Sequence, residues 1–268
     1  MELLHLAVVA VIQGLTEFIP VSSSGHLVLV PLFMQVPDQG LVIDVAVHVG
    51  TLFAVIVYFW GDIWSMIMGL AQVIKGRRDP RAKLIGLLVV GTIPVLVAGF
   101  ALNYYLPSGV RSFRVIGWTT LGFGLLLLIS DQIGMTLRRI EHLKLSDAFV
   151  FGMAQVLALI PGTSRSGICM TIGRIMGMER REVARFSMLL GVPAILGAGF
   201  VKGWEVYESG NGQLSIDVLV SAGLAFVFAL FSIALIMAWL RRASFTIFGV
   251  YRLILGSFIL AIAYGWLG

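Results

Sequence analysis

The sequence predicts an all-α polytopic membrane protein: a helical bundle of about six transmembrane helices plus two re-entrant broken-helix hairpins. Three observations carry this. Of the 268 residues, 59% are apolar and only 12% charged, with a mean hydropathy of +0.98, whereas a soluble domain is nearer half apolar and a quarter charged. Six spans of roughly 20 residues use about 120 residues, fewer than the apolar residues available. The two longest apolar stretches are each interrupted near the middle by Pro, Gly, Ser and Thr. A water-soluble enzyme, a disordered chain and a disulfide scaffold are thereby excluded.

Along the chain, segments 41–60, 84–103, 114–132, 184–203, 217–240 and 245–266 are each long and apolar enough to span. The stretches 3–34 and 147–178 are broken, at FIPVSSSGH and LIPGTSRSG. Proline disfavours helix at the residue before it and lacks a donor, so Pro20 and Pro161 should each end a half-helix, and the Ser and Thr that follow should cap the next. Irregular backbone at membrane depth is tolerated only where it is buried in protein or lines a wet cavity. Two such breaks therefore predict a polar site inside the bundle. The apolar stretch 62–74 is too short to span and is expected at the interface.

The net charge is +5 and the pI about 9.7, and placing the basic residues decides what this means. Thirteen of the nineteen Lys and Arg fall in 75–83, 138–144, 180–185 and 241–242; Arg111, Arg114 and Lys202 lie on the opposite face, and Arg165, Arg174 and Arg252 within apolar segments. This asymmetry satisfies the positive-inside rule, so the basic pI implies no nucleic-acid partner. If 75–83 is cytoplasmic, the first hairpin enters from outside and the second from inside, and the two breaks approach each other near mid-membrane. Glu2 stands where a basic leader region would need Lys or Arg, so no cleavable signal peptide is expected. Cys169 is the only cysteine and reads as a buried small hydrophobe, and His5, His26, His48 and His142 are too far apart for a zinc-binding HxxxH pair.

Laying residues 13–25 on 155–167 without gaps, at an offset of 142, pairs Gln13 with Gln155, Ser22 with Ser164, Ser24 with Ser166 and Gly25 with Gly167. Together with the opposite membrane polarity, this fits an inverted-topology repeat whose broken helices meet at a midplane site. A single integral membrane domain over 1–268 is expected, with repeats over about 1–105 and 145–268. The halves have diverged in chemistry: Glu17 faces Leu159, and Ser23 faces Arg165.

Ionisable side chains inside a span cost roughly 2.5–3.5 kcal/mol each on insertion scales, so they mark function or a tight pair. Glu17 stands four residues after Gln13, on the same helix face. His26 follows the serine run and can serve as proton carrier or nucleophile. Ser22, Ser23 and Ser24 in the first break, and Thr163, Ser164 and Ser166 in the second, supply hydroxyls at helix N-termini, where anions and phosphate above all are bound. Arg165 adds bidentate donors matched to phosphate. The set suits phosphoryl transfer. Asp44 and His48 share a helix face and either line the cavity or pair with each other. Arg174 is expected to pair with an acid, Asp131 to sit at the interface, and Tyr251 and Arg252 to reach headgroups or the site.

The residues QGLTEFIPVSSSGH (13–26) and PGTSRSG (161–167) closely resemble the two signature motifs of the bacterial undecaprenyl-diphosphate phosphatases of the bacitracin-resistance type. FSMLLGVP (186–193) and the pair Tyr251–Arg252 fit as well, so the resemblance covers essentially the whole chain. It implies removal of the terminal phosphate from a C55 polyprenyl diphosphate lipid, recycling the carrier for peptidoglycan synthesis, in the bacterial cytoplasmic membrane with a site facing the outside, assisted by a divalent cation, Mg2+ or Ca2+. It carries catalytic or binding roles onto Gln13, Glu17, Ser22, Ser23, His26, Ser164 and Arg165. Many relatives have Glu where this chain has Gln13, which leaves Glu17 as the main anionic ligand for the metal. Ser23, His26 or a metal-bound water is the nucleophile. The rival class is a secondary transporter or flippase for a phosphorylated lipid, since such proteins also use inverted repeats and broken helices. Membrane lipids surround either machine, and oligomeric state, a homo-oligomer included, is left open.

Overall fold

The computed structural model describes residues 3–37, 40–105, 112–208 and 216–266; Arg111 lies outside the described residues. The described chain is helical, without a strand. Helices α4 (Gly40–Tyr58), α6 (Ala82–Tyr105), α7 (Phe113–Ile133), α10 (Arg180–Glu208), α11 (Ile216–Trp239) and α12 (Thr246–Ala263) are long and apolar enough to cross a membrane. They coincide with the six spans read from the sequence. The chain is thus a multi-pass integral membrane protein. Helix α10 begins four residues before the expected span because its polar first turns are held by ion pairs, Arg180 reaching Asp131 at 2.7 Å and Arg185 gripping Asp62, and it ends five residues after it.

The two interrupted stretches fold as anticipated. Helix α1 (Leu3–Thr16) stops four residues before Pro20, and α8 (Leu145–Leu157) four residues before Pro161. After each break the chain restarts, as α2 (Ser23–Leu27) running into α3 (Leu29–Met34), and as α9 (Arg165–Ile175). At about 1.5 Å per residue, the 14 residues of α1 reach only two-thirds of the way across a hydrocarbon core of about 30 Å. Neither arm spans. Helix α5 (Trp60–Ile74) is likewise short of a span, with Trp60, Trp64, Ile67, Leu70 and Ile74 exposed.

The hairpins enter from opposite ends of the bundle. Leu6 and Val9 of α1 pack with Ile43, near the start of α4, and beside Val218, near the start of α11. At the other end, Arg138 and Met178 pair across a β-bridge, and Lys83 donates to the Glu141 carbonyl at 2.6 Å. The described members of the basic segments 75–83, 138–144, 180–185 and 241–242 meet at this second end, where α8 begins and α9 finishes. Packing partners exchange between the halves: α1 lies on α11, while α8 lies on α6, and α7 pairs with α12. Close helix approach is bought by small residues; a Cβ at Gly50 would sit 2.2 Å from the Ala222 carbonyl of α11.

The core centres on α8, α9 and α10, where Phe151 of α8 and Phe186 of α10 meet edge-on at 4.9 Å between ring centroids, with Met170, Met188 and Leu189 fully buried around them. Below the core lies a buried ion cluster. Asp131 was expected at the interface, yet its side chain is 1% exposed. Arg174 donates to Asp131 Oδ1 at 3.0 Å, Arg180 to the same oxygen at 2.7 Å, and the Phe245 N–H to Oδ2 at 2.8 Å. The remaining Arg174 donors satisfy the carbonyls of Met135, Gly134 and Met178. A carboxylate can sit this deep because two guanidiniums and an amide surround it. The acid expected for Arg174 is therefore Asp131.

Candidate active site

The two breaks touch. Each is capped by a serine in the left-handed region, Ser22 (φ 75°) and Ser164 (φ 67°), a conformation that non-glycine residues hold only where their surroundings enforce it. Both caps are built alike. Ser22 Oγ accepts from the Gly25 N–H at 3.3 Å, and Ser164 Oγ from the Gly167 N–H at 3.1 Å. Two further serines staple break to break: Ser24 Oγ accepts from the Gly162 N–H at 3.0 Å, and Ser166 Oγ donates to the Ile19 carbonyl at 3.3 Å.

Between the breaks lies a cavity of about 260 Å³ whose polar wall is Glu17, Ser23, Ser24, Ser164 and Arg165. Arg165 reaches across it. Its Nη1 donates to the Ser187 carbonyl of α10 at 3.0 Å, and its Nη2 lies 3.4 Å from Glu17 Oε1. Room for this fork comes from Gly191, where a Cβ would stand 2.5 Å from Nη1. Glu17 Oε2 accepts from Gln13 Nε2 at 2.9 Å and from Ser23 Oγ at 3.3 Å. Thus a carboxylate, a serine hydroxyl and a guanidinium from two hairpins converge on one space.

Behind this wall stands a supporting layer. Gln13 is fully buried and its Nε2 also meets His48 Nε2 at 3.2 Å. His48 Nδ1 lies 2.7 Å from the Asp44 carbonyl, an acceptor only, so Nδ1 carries the proton and Nε2 receives the Gln13 amide. Thr163 is buried, and Arg252 Nη2 donates to its carbonyl at 2.8 Å and to that of Gly162 at 2.9 Å. Arg252 thereby holds the second break from within the bundle. A larger cavity of about 570 Å³ adjoins the first, sharing Ser24 and Pro161; Leu27, Pro31, Leu32, Phe113 and Ile116 give it an apolar wall, with Asp44 and His48 at one side.

Of the residues singled out from the sequence, Glu17, Ser23, Ser24, Ser164 and Arg165 face the smaller cavity. Gln13, Ser22, Thr163 and Ser166 shape it from behind. His26 is turned elsewhere: its Nδ1 meets the Ser22 carbonyl and its Nε2 the Tyr251 hydroxyl, each at 2.7 Å. Asp44 and His48 do line a cavity, the larger one. Ser187 and Gly191 lie in the 186–193 segment that fits the resemblance, but no role was read for either; the further signal was a glycine interior to a helix, which marks close approach.

The donor set bears on a divalent cation. Among the described residues no three of His, Cys, Asp and Glu gather to hold a metal ion. Gln13 Oε1 is buried without a hydrogen-bond partner, while its Nε2 is the atom that faces the Glu17 carboxylate. The Glu17 carboxylate fits a hard cation that takes most of its ligands from substrate phosphates and water, as Mg2+ does, and Gln13 adds its oxygen only by turning its amide over.

Residues 6–258 match the family model described as "Bacitracin resistance protein BacA". The chain is 49% identical over 266 residues to the undecaprenyl-diphosphatase of Roseobacter denitrificans, covering 98% of this chain and 100% of that protein. It is 47% identical to undecaprenyl-diphosphatase 1 of Rhodospirillum rubrum, over 98% of this chain and 96% of that one. It is 43% identical to the undecaprenyl-diphosphatase of Hahella chejuensis, over 98% and 99%. With the family model matched from within α1 to within α12, the chain belongs to the bacitracin resistance protein BacA family.

Proposed function

We propose that the protein is a membrane phosphatase that hydrolyses undecaprenyl diphosphate to undecaprenyl phosphate and inorganic phosphate, returning the carrier lipid to peptidoglycan synthesis. One observation carries this reading: Arg165 of the second break lies 3.4 Å from Glu17 of the first, across a cavity that also holds Ser23. A guanidinium aimed into a cavity stabilises phosphoryl charge, and the adjoining half-helix starts add N–H groups that favour an anion.

In this reading the Arg165 side chain and the amides of residues 165 and 166 hold the terminal phosphoryl group. Ser23 Oγ attacks its phosphorus while Glu17 Oε2, already 3.3 Å from the hydroxyl, takes the proton. The bond from phosphorus to the bridging oxygen breaks, and undecaprenyl phosphate leaves with that oxygen. Water then cleaves the phosphoserine, releasing inorganic phosphate. A divalent cation, Mg2+ or Ca2+, held by Glu17 and by Gln13 with its amide turned over, would neutralise diphosphate charge. The prenyl chain lies along the apolar wall of the larger cavity toward lipid. Basic segments gathered at one end favour a cytoplasmic-membrane orientation with that end inside. The larger cavity, lined by the first turns of α4 and α7, then opens outward.

The test is phosphate release from undecaprenyl diphosphate by purified protein in detergent. Equimolar phosphate and undecaprenyl phosphate are expected, with chelator suppressing both by at least about tenfold, the loss expected when a charge-neutralising ion is removed. A transporter yields no product without a membrane, so an absence of phosphate favours that class instead.

A further inference from the structure

The two serine caps differ in one respect. In the second break the Ser164 carbonyl accepts from the backbone N–H of Ile168 at 2.9 Å. At the corresponding position of the first break stands His26, and there a side chain adds a bond: the Ser22 carbonyl accepts from the Gly25 N–H at 3.1 Å, and ring Nδ1 lies 2.7 Å from the same oxygen. A carbonyl only accepts, so Nδ1 carries the proton, and Nε2 is left with a lone pair. That lone pair is taken. The Tyr251 hydroxyl on α12 lies 2.7 Å from Nε2, with the two rings stacked at 5.6 Å and 4° apart.

We infer that Tyr251 is a positioning residue that fixes the Nδ1–H tautomer of His26, through which the strained Ser22 cap is held and Ser23 is presented to Glu17. The inference rests on the reading above that Ser23 attacks. Ser22 has φ 75° and ψ 91°, a geometry that persists only when neighbours over-determine it. Were the His26 proton on Nε2, Nδ1 would turn a lone pair on the Ser22 carbonyl, and the cap would lose that support. A tyrosine hydroxyl donating to Nε2 excludes this tautomer. His26 is then neither base nor nucleophile, since both its nitrogens are occupied away from the cavity. Arg252 next to Tyr251 holds the carbonyls of the second break, so adjacent residues of α12 set both half-sites in register.

Full-length protein carrying 15N-histidine, in detergent, tests this by long-range 1H–15N correlation, with His26 assigned by its disappearance in His26→Asn. The expected spectrum shows His26 neutral with the proton on Nδ1; a proton on Nε2 overturns the inference. Tyr251→Phe keeps the stacked ring and removes the hydroxyl: the Nε2 signal should shift, and kcat should fall about tenfold at unchanged KM, the loss typical of one hydrogen bond. The asparagine amide nitrogen can stand in for Nδ1, whereas that of glutamine corresponds to Nε2. His26→Asn should therefore retain about tenfold more activity than His26→Gln. Equal losses in the two variants, or a wild-type kcat in Tyr251→Phe, overturn the proposal. No phosphate release from wild-type protein would defeat the hydrolytic reading separately, and the spectrum would still decide the tautomer.

Discussion

Arg165→Ala is expected to lower kcat/KM for undecaprenyl diphosphate by about 10³- to 10⁵-fold, the range lost when an arginine is removed from a phosphoryl-transfer site. The geometry says why so much rests on one side chain. Its side chain is 16% exposed, with the guanidinium anchored by Nη1 to the Ser187 carbonyl and turned by Nη2 toward Glu17. Arg165→Lys keeps the charge but has no rigid fork, so it cannot hold Ser187 and face a phosphate at once. It should lose about 100-fold, two steps of roughly 1.4 kcal/mol. Steady-state kinetics on variants with wild-type melting behaviour check both values. A lysine variant as active as the wild type would show that the fork does not bind the reacting phosphate.

Asp131→Ala is expected to destabilise the fold by about 3–5 kcal/mol, because it strips the only carboxylate from a fully buried arginine. Arg174 is 0% exposed, and Asp131 accepts from it, from Arg180 and from the Phe245 N–H. This cluster ties α7, α9, α10 and α12 together where α9 ends. Its loss should free the far end of the half-helix that begins with Arg165, so activity should fall with stability. Asp131→Asn retains acceptors and should cost less. Reversible denaturation in detergent measures the effect, and an unfolding midpoint for Asp131→Ala equal to that of the wild type would contradict it.

The spans were legible because a run of about 20 apolar residues needs no tertiary context to be recognised. The breaks were legible for a local reason too: Pro20 and Pro161 are followed by Ser, Thr and Gly that cap a new helix, whereas Pro94 and Pro193, followed by apolar residues, lie inside α6 and α10. Glu17, Ser23 and Arg165 stood out because charge and hydroxyls are rare among apolar neighbours. What the sequence withheld is contact between distant residues. Nothing near His26 announces Tyr251, 225 positions away, and the Ser187 group that anchors Arg165 is a backbone carbonyl, which every residue possesses. The burial of Asp131 was hidden for the same reason. At the end of a span a carboxylate reads as interfacial, and only Arg174 and Arg180, arriving from a later hairpin and helix, make its burial tolerable. Ser24 and Ser166 read as ligands for an anion, yet their hydroxyls staple one break to the other.

The central claim is that two breaks, from hairpins entering opposite ends of the bundle, form one phosphoryl-transfer site. A double-mutant cycle in kcat/KM on Glu17 and Arg165 tests it most directly, with phosphate release from undecaprenyl diphosphate as the readout. Groups that act as a unit show strongly non-additive losses. The account predicts that Glu17→Ala combined with Arg165→Ala is no slower, within about a factor of ten, than the slower single variant. Losses that multiply in full would contradict it, and would place the two residues in separate functions.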